Sequence, residues 1–545
     1  MGLEIRNRAV TKPPLVRPHG VPPRGIDMDT RSRLFEGRFG RIFRALAPAD
    51  FGSSDTEAEQ LLEALAAAMI HEPDCPKDGA DDEESGIPSA HTYLGQFIDH
   101  DITFDPSSSL MRQNDPDALI DFRTPRLDLD SVYGRGPDDQ PYLYGPDKEL
   151  LLRKPVTGEA LGKPILKAQD LARASNDRAM IGDPRNDENV IVSQFQGLVL
   201  RFHNNFRRDN RGLTFEQVQQ QVRFHYQWVV VHDFLQRVVS GAVLRRVLPH
   251  LFAKKAEANV YDTPPRLRFY RPVHSAFMPL EFAAAAYRFG HSMVRPGYRL
   301  NDRVAPLPIF PLSKLPDGCA QPVDDLRGFR QMNAAWAIDW ARFIDIEKRP
   351  AGLEDDPPDA QSKRMQLAYK IDPSLVDPLS NLPVSVTGPN PGAFRSLAAR
   401  NLVRGWRMRL PNGQSIARTM GVEPLANEAI LIGSAADDAT DIPAISKISP
   451  KFDDNCPLWV YVLAEAAHGF RTKPETEVVH TSEGDKKIET PKLGDVGGTI
   501  VAETFAGMMV DDRNSFWNLW PKWEPNRSLG GREFDLRRFI RYALA

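Results

Sequence analysis

Residues 95–104 read GQFIDHDITF. If the stretch is helical, Gln96 and His100 lie four apart on one face. Asp99 and Asp101 then radiate about 100° to either side of His100. One turn thus presents an imidazole acid/base in the middle and a carboxylate on each flank. Taken alone, a polar helix end with a satisfied histidine explains the pattern as well.

The segments around it set the fold class. Helical periodicity runs through residues 189–208, 214–239, 280–294, 329–344, 392–408 and 457–470. Strand-like alternation is scarce, and no internal repeat is visible. The reading is mainly α: a single large helical domain over residues 86–545 with long irregular loops and little β-structure. Residues 345–385 and 471–495 are polar and rich in proline or charge, and read as surface excursions. Residues 1–85 read as an N-terminal arm. It opens with a Pro-, Gly- and Arg-rich stretch over 1–50. An amphipathic helix over 53–70 follows, capped by Ser or Asp. An acidic, breaker-rich loop over 71–90 completes it.

Composition narrows the class. Of 545 residues, 41% are hydrophobic and 26% charged, which is ordinary globular usage and excludes collagen, coiled coil and wholesale disorder. Lys plus Arg is 69 and Asp plus Glu is 73, giving a formal charge of −4. That is no basic footprint for nucleic acid. There are 46 prolines, which implies stiff, irregular connections. No run approaches the ~18 apolar residues of a membrane span. The N-terminus shows no apolar core of a secretory signal. The three cysteines, Cys75, Cys319 and Cys456, form no CxxC pair and are odd in number, so a disulfide-stapled scaffold is not expected. Cytoplasmic residence is the default expectation, with secretion by a route without an N-terminal signal as the alternative.

Further clusters stand out, each with an ordinary explanation of its own. Thr124, Arg126, Asp128 and Asp130 lie in TPRLDLDSVYG, where alternating oxygen donors suit a hard cation such as Ca²⁺. An Asx-rich turn reads the same way. The stretch is not an EF-hand, because Val132 takes a ligand position and Gly134 sits one place late. Arg185 and Glu188 lie in GDPRNDE, an ordinary helix entry. His291 lies in the apolar run AAAAYRFGHSMV and Asn401 in RSLAARNLVRG, both compatible with simple core packing.

In chain order, however, GQFIDHDITF, the loop ending SVYG, GDPRNDE, YRFGHSMVRPGYRL, AARNLVRG and VAETFAGMM resemble the animal-type haem peroxidases of the peroxidase–cyclooxygenase superfamily. The resemblance covers roughly residues 90–520, and the chain looks like a compact bacterial member.

The resemblance implies haem b with His291 as iron ligand and Asn401 as the acceptor for its other nitrogen. His100 matches the distal acid/base, Arg185 the distal arginine, and Gln96 the glutamine that orders water or halide. Asp99 and Glu188 match the carboxylates that form haem esters, so two ester links are expected. Asn189 stands where the strongest chloride oxidisers have a methionine. Asp101, Thr124, Arg126 (through its carbonyl), Asp128 and Asp130 match a Ca²⁺ shell, with Asp130 at a place where many members carry serine.

The implied function is a peroxidase that reduces hydrogen peroxide. It would oxidise bromide, iodide, thiocyanate or small aromatic donors, with a role in the response to oxidative stress. The alternative is a fatty-acid dioxygenase of the same superfamily. Those enzymes use a tyrosine three residues before the axial histidine, where this chain has Arg288. A non-catalytic haem-binding or adhesion protein is a third reading; no RGD is present. Partners would be peroxide and small reductants. The sequence leaves the oligomeric state open.

Overall fold

The computed structural model describes residues 39–103, 123–272, 275–312, 315, 317, 319, 321–353, 355–387 and 394–545. The first 38 residues of the expected arm lie outside the described residues.

The fold is mainly helical. Its regular helices include Asp55–Ala68, Ala90–Ile102, Val190–Asp209, Phe215–Val229, Leu397–Arg407, Gly413–Met420, Leu458–Thr472, Asp495–Asp511 and Leu536–Leu544. The strands among the described residues pair only two by two. One hydrophobic core runs through nearly all of these elements. No helix among the described residues is long and apolar enough to cross a membrane.

The central layer is Val190–Asp209, in which fifteen of twenty residues are buried. Asn189 caps it, with Oδ1 accepting from Val192 N at 2.9 Å. Ala90–Ile102 packs on one side of it and Leu536–Leu544 on another. Phe202 stacks on Phe539 with ring centroids 4.1 Å apart, which ties the C-terminal helix down. Phe215–Val229 begins with a Thr214/Gln217 capping box. It runs into a single π-turn over Val230–Phe234, so the expected helix over 214–239 is continuous in space but not in hydrogen-bond pattern.

The helix expected over 53–70 forms as Asp55–Ala68, and Ser54 accepts from Glu57 N as its cap. Its buried face, Ala58, Leu62, Leu65 and Ala66, packs on Leu397–Arg407. Arg407 donates to Glu59 across that contact.

Four expectations need correction. The run 329–344 is not a helix; only Trp340–Arg342 forms a short 3-10 turn. Ala337, Ile338, Trp340, Ala341, Phe343 and Ile344 are all buried, and so are Asp339 and Arg342 between them, so burial follows no single stripe. Its backbone is satisfied by neighbours instead: Ala337 N donates to Thr157 O at 2.9 Å, and Asn301 Nδ2 donates to Ala337 O at 2.8 Å.

Residues 471–495 hold a hairpin, Glu475–Thr481 paired with Gly484–Thr490. Residues 345–385 are not wholly a surface excursion, because most of 364–379 is buried. The charges there are paired inside: Glu84 accepts from Arg364 Nη2 at 2.6 Å and from Arg295. Lastly, Cys75 and Cys319 are disulfide-bonded, with Cα atoms 5.7 Å apart. Cys456 is the buried free thiol. The odd count left room for one bridge, and sequence spacing gave no hint of a pair 244 residues apart.

Candidate active site

Ala90–Ile102 delivers Gln96, Asp99, His100 and Asp101 from a single turn, as the spacing predicts. His100 is buried. Its Nδ1 lies 2.8 Å from Asn186 Oδ1. Asn186 Nδ2 donates to Gln196 Oε1 at 2.9 Å, which fixes the amide with its oxygen towards the imidazole. A carbonyl oxygen can only accept, so Nδ1 carries the proton and Nε2 holds the basic lone pair. Nε2 lies 3.7 Å from Glu188 Oε1.

Arg185 sits in the 3-10 turn Pro184–Asp187, whose cap is Asp183. Its Nη2 donates to His100 O at 2.9 Å and Thr103 O at 2.5 Å, closing the end of the His100 helix. The same nitrogen donates to Asp183 Oδ2 at 2.8 Å, and Arg185 Nε donates to Asp183 Oδ1 at 3.1 Å. Arg185 and Arg123 hold the buried Asp183 far below the usual carboxylate range, against its desolvation. A permanent cation is thereby built beside His100.

Glu188 is reached by Gln96 Nε2. Gln96 Oε1 in turn accepts from Asn189 Nδ2 at 3.2 Å. Burial pushes Glu188 up to about 7, with Arg185 opposing. It therefore carries a proton over part of the neutral range. Asp99 accepts from Thr103 Oγ1 at 3.1 Å.

On the other side, His291 ends a 3-10 turn, Ala286–His291. The expected helix over 280–294 is broken between Ala283 and Ala286, where Ala285 takes φ −141° and ψ −76°. Asn401, from Leu397–Arg407, meets it: Asn401 Nδ2 lies 2.8 Å from His291 Nδ1. Arg288 Nη1 donates to Asn401 Oδ1 at 2.9 Å. The two expected partners are together, but the amide faces the imidazole with its nitrogen and not its oxygen, because Arg288 has claimed the oxygen. Burial, then the charge of Arg288, pushes His291 down to about 3, so it is neutral, the form that ligates a metal. Accepting at Nδ1 leaves the proton of the neutral ring on Nε2, so ligation through Nε2 first needs that proton moved to Nδ1. The residues fit a haem ligand. Oδ1 has two lone pairs, so a turn of Asn401 that lets it accept from both Arg288 and Nδ1–H is what ligation through Nε2 requires.

The candidate cation site lies directly behind His100. One carboxylate oxygen each from Asp101, Asp128 and Asp130 falls within a 4.8 Å sphere of mutual distance. Asp101 Oδ1 accepts from Ser131 Oγ at 2.8 Å, and Oδ2 from Leu129 N at 3.2 Å. These bonds hold Leu129 in a left-handed turn at φ 57°, a strained conformation for leucine. Thr124 Oγ1 donates to Asp128 Oδ2 at 2.9 Å. Arg126 turns its side chain away to Asp512, at 3.7 Å. Desolvation, then the charge of Asp128, pushes Asp101 up to about 7. Asp130 is raised well above its ordinary range by burial, although Arg123 pulls it back. Buried, crowded carboxylates of this kind fit a hard divalent cation.

Comparison with known proteins gives partial matches. Residues 111–324 match the animal haem peroxidase family. That match covers under half of the chain. A peroxidase-like protein from Margaritifera margaritifera is 27% identical over 261 residues, covering 39% of this chain. The matched stretch spans only 32% of that relative's length. Among solved structures, peroxidase A from Dictyostelium discoideum aligns over 88% of both chains at 15% identity and TM-score 0.49. The fatty acid α-dioxygenase of Arabidopsis thaliana aligns over 92% of this chain and 74% of its own, at 12% identity and TM-score 0.50. That of Oryza sativa aligns over 91% and 78%, at 15% identity and TM-score 0.50. At such identities the dioxygenase likenesses speak to the mainly helical fold alone.

At this site, sequence reasoning missed Asn186, Gln196, Asp183 and Arg123. Asn186 and Asp183 flank Arg185 in GDPRNDE, so their proximity to the site was readable, but not their partners.

Proposed function

We propose that the chain is a haem-dependent peroxidase that reduces hydrogen peroxide and oxidises bromide, iodide, thiocyanate or small aromatic donors. The observation that carries this is the His100–Asn186 hydrogen bond beside the anchored Arg185 guanidinium. His100 Nε2 is thereby a base with a fixed tautomer. It is placed to take a proton from one peroxide oxygen and return it to the other, which leaves as water. Arg185 stabilises the negative charge that develops as the O–O bond breaks. Gln96, held between Glu188 and Asn189, orders water or a halide next to His100. Haem, when bound, would supply the iron and the redox change; His291 would hold it, with Asn401 and Arg288 positioning the imidazole.

Asp99 and Glu188 are the acids for ester links to the haem. Asp101, Thr124, Asp128 and Asp130, with the Arg126 carbonyl, form the Ca²⁺ shell. Asn189 is engaged as a helix cap and with Gln96, and offers no thioether for a third link. Chloride oxidation should accordingly be weak; sustained chlorination of monochlorodimedone would refute this. The dioxygenase reading needs a tyrosyl radical where Arg288 stands, bonded to Asn401. The Cys75–Cys319 bridge favours an oxidising compartment, and so the export alternative over cytoplasmic residence.

The test is to load the protein with haem, add peroxide and a phenol or bromide, and then extract with acidified organic solvent. Donor oxidation with haem retained on the polypeptide supports the reading. Freely extracted haem removes the ester claim. Oxygen uptake with a polyunsaturated fatty acid, without peroxide turnover, would move the assignment to the dioxygenases.

A further inference from the structure

Two sites described above share one carboxylate and one guanidinium. Arg123 is buried. Its Nη1 lies 3.2 Å from Asp130 Oδ1 in the candidate cation site. Its Nε and Nη2 donate to Asp183 Oδ2 at 3.1 Å and 2.6 Å. Asp183 is fully buried and also grips Arg185 through Nε and Nη2. An unbroken line of charge-assisted contacts therefore runs Asp130–Arg123–Asp183–Arg185.

We propose that Arg123 is a positioning residue, through which occupation of the Asp101/Asp128/Asp130 site sets how tightly Asp183 holds the distal guanidinium of Arg185. The proposal rests on the peroxidase reading above.

A bound cation and Arg123 compete for Asp130. Asp130 can give its charge to a cation or to Arg123. With a divalent cation bound, Asp130 is engaged by the cation, and Arg123 is left to share Asp183 with Arg185. Asp183 then divides its attraction between two guanidiniums, holds Arg185 less tightly, and lets it lean towards an anion beside His100. With the cation removed, uncompensated Asp130 draws Arg123 away. Asp183 is left with Arg185 alone and pulls it back. A second link to the same site runs through Asp101 and the turn of His100, whose carbonyl also accepts from Arg185; a change at Arg123 cuts the first route and leaves this one intact, so the two can be separated. Lysine at position 123 keeps the charge but cannot fork to Asp130 and Asp183 together.

The experiment uses the full-length, haem-loaded ferric protein. Fluoride, a small anion that accepts hydrogen bonds from a nearby guanidinium, is titrated by the visible spectrum with calcium present and after EGTA. Wild type should lose fluoride affinity on chelation, roughly tenfold for a coupling of ordinary size. Arg123→Gln should bind fluoride more weakly than wild type with calcium present, and EGTA should then lower its affinity by a smaller factor than in wild type. Arg123→Lys should fall between. Equal fluoride affinity in wild type and Arg123→Gln, with the chelator effect intact, overturns the relay. If Arg123→Gln does not fold, as read by circular dichroism, Arg123→Lys decides alone: wild-type affinity and full chelator sensitivity overturn the proposal. A wild-type chain that takes up no haem overturns the peroxidase reading and the relay with it. A chain that binds haem but shows no Arg123 dependence overturns the relay only.

Discussion

His100 Nδ1 and Asn186 Oδ1 lie 2.8 Å apart, and Asn186 is itself held by Gln196. This pair selects the ring nitrogen that can act as a base. Replacing Asn186 by Ala frees the tautomer and should lower peroxide turnover about 10–100-fold, with haem content unchanged. Asn186→Asp places a carboxylate against Nδ1 and should move the acidic limb of the pH–rate profile to higher pH, because it favours the imidazolium. A profile unchanged in both variants would show that Asn186 does not set the tautomer.

The carboxylates behind His100 predict a metal effect. Chelation should lower both the melting temperature and peroxidase activity, since the same helix turn carries Asp101 and His100. A cation present at a thousand times its dissociation constant contributes about 4 kcal/mol. Asp101→Asn should abolish the EGTA-sensitive part of the melting temperature. Calorimetry with and without EGTA, on both proteins, measures it.

The disulfide predicts a thiol count. In denaturant without reductant, one thiol, that of Cys456, should react with a chromogenic disulfide reagent; after reduction three should. Three before reduction would contradict the Cys75–Cys319 bridge. Cys319→Ser should cost about 2–5 kcal/mol of stability, read by urea denaturation.

His225 predicts a pH dependence. Burial pushes its imidazole down to about 4, below the ordinary 6.5 of the unfolded chain. Between those values the unfolded state binds the extra proton. Stability is therefore fully present above pH 6.5 and falls as pH drops towards 4, by at most about 1.4 kcal/mol per unit. His203 acts in the same direction, pushed down to about 3. His225→Phe should flatten the slope over pH 4–6.5; an unchanged slope assigns the effect elsewhere.

Much of the site was legible because it is local. Gln96 and His100 four apart, and Arg185 with Glu188 three apart, read directly as one-turn relations. What a residue meets across the fold was not legible. The Asn186–Gln196 bond, the Arg288 claim on Asn401, and Arg123 between Asp130 and Asp183 depend on side chains from separate elements. Fold class was readable from the long apolar periods, with one instructive failure. Residues 337–344 are buried on all sides, Asp339 and Arg342 included, and their apolar spacing passes for a helix. A buried extended segment has the same signature when Thr157 and Asn301 satisfy its backbone. The hairpin at 475–490 carries too many charged residues to show a clean apolar alternation, because much of it is exposed.

The most direct test of the account is steady-state, peroxide-dependent oxidation of a phenol by haem-loaded wild type and His100→Ala at matched haem content. The account predicts the same ferric spectrum and a fall in turnover of about 10²–10⁴-fold in the variant. Equal turnover by the two proteins would contradict His100 as the base, and with it the peroxidase mechanism built on this site.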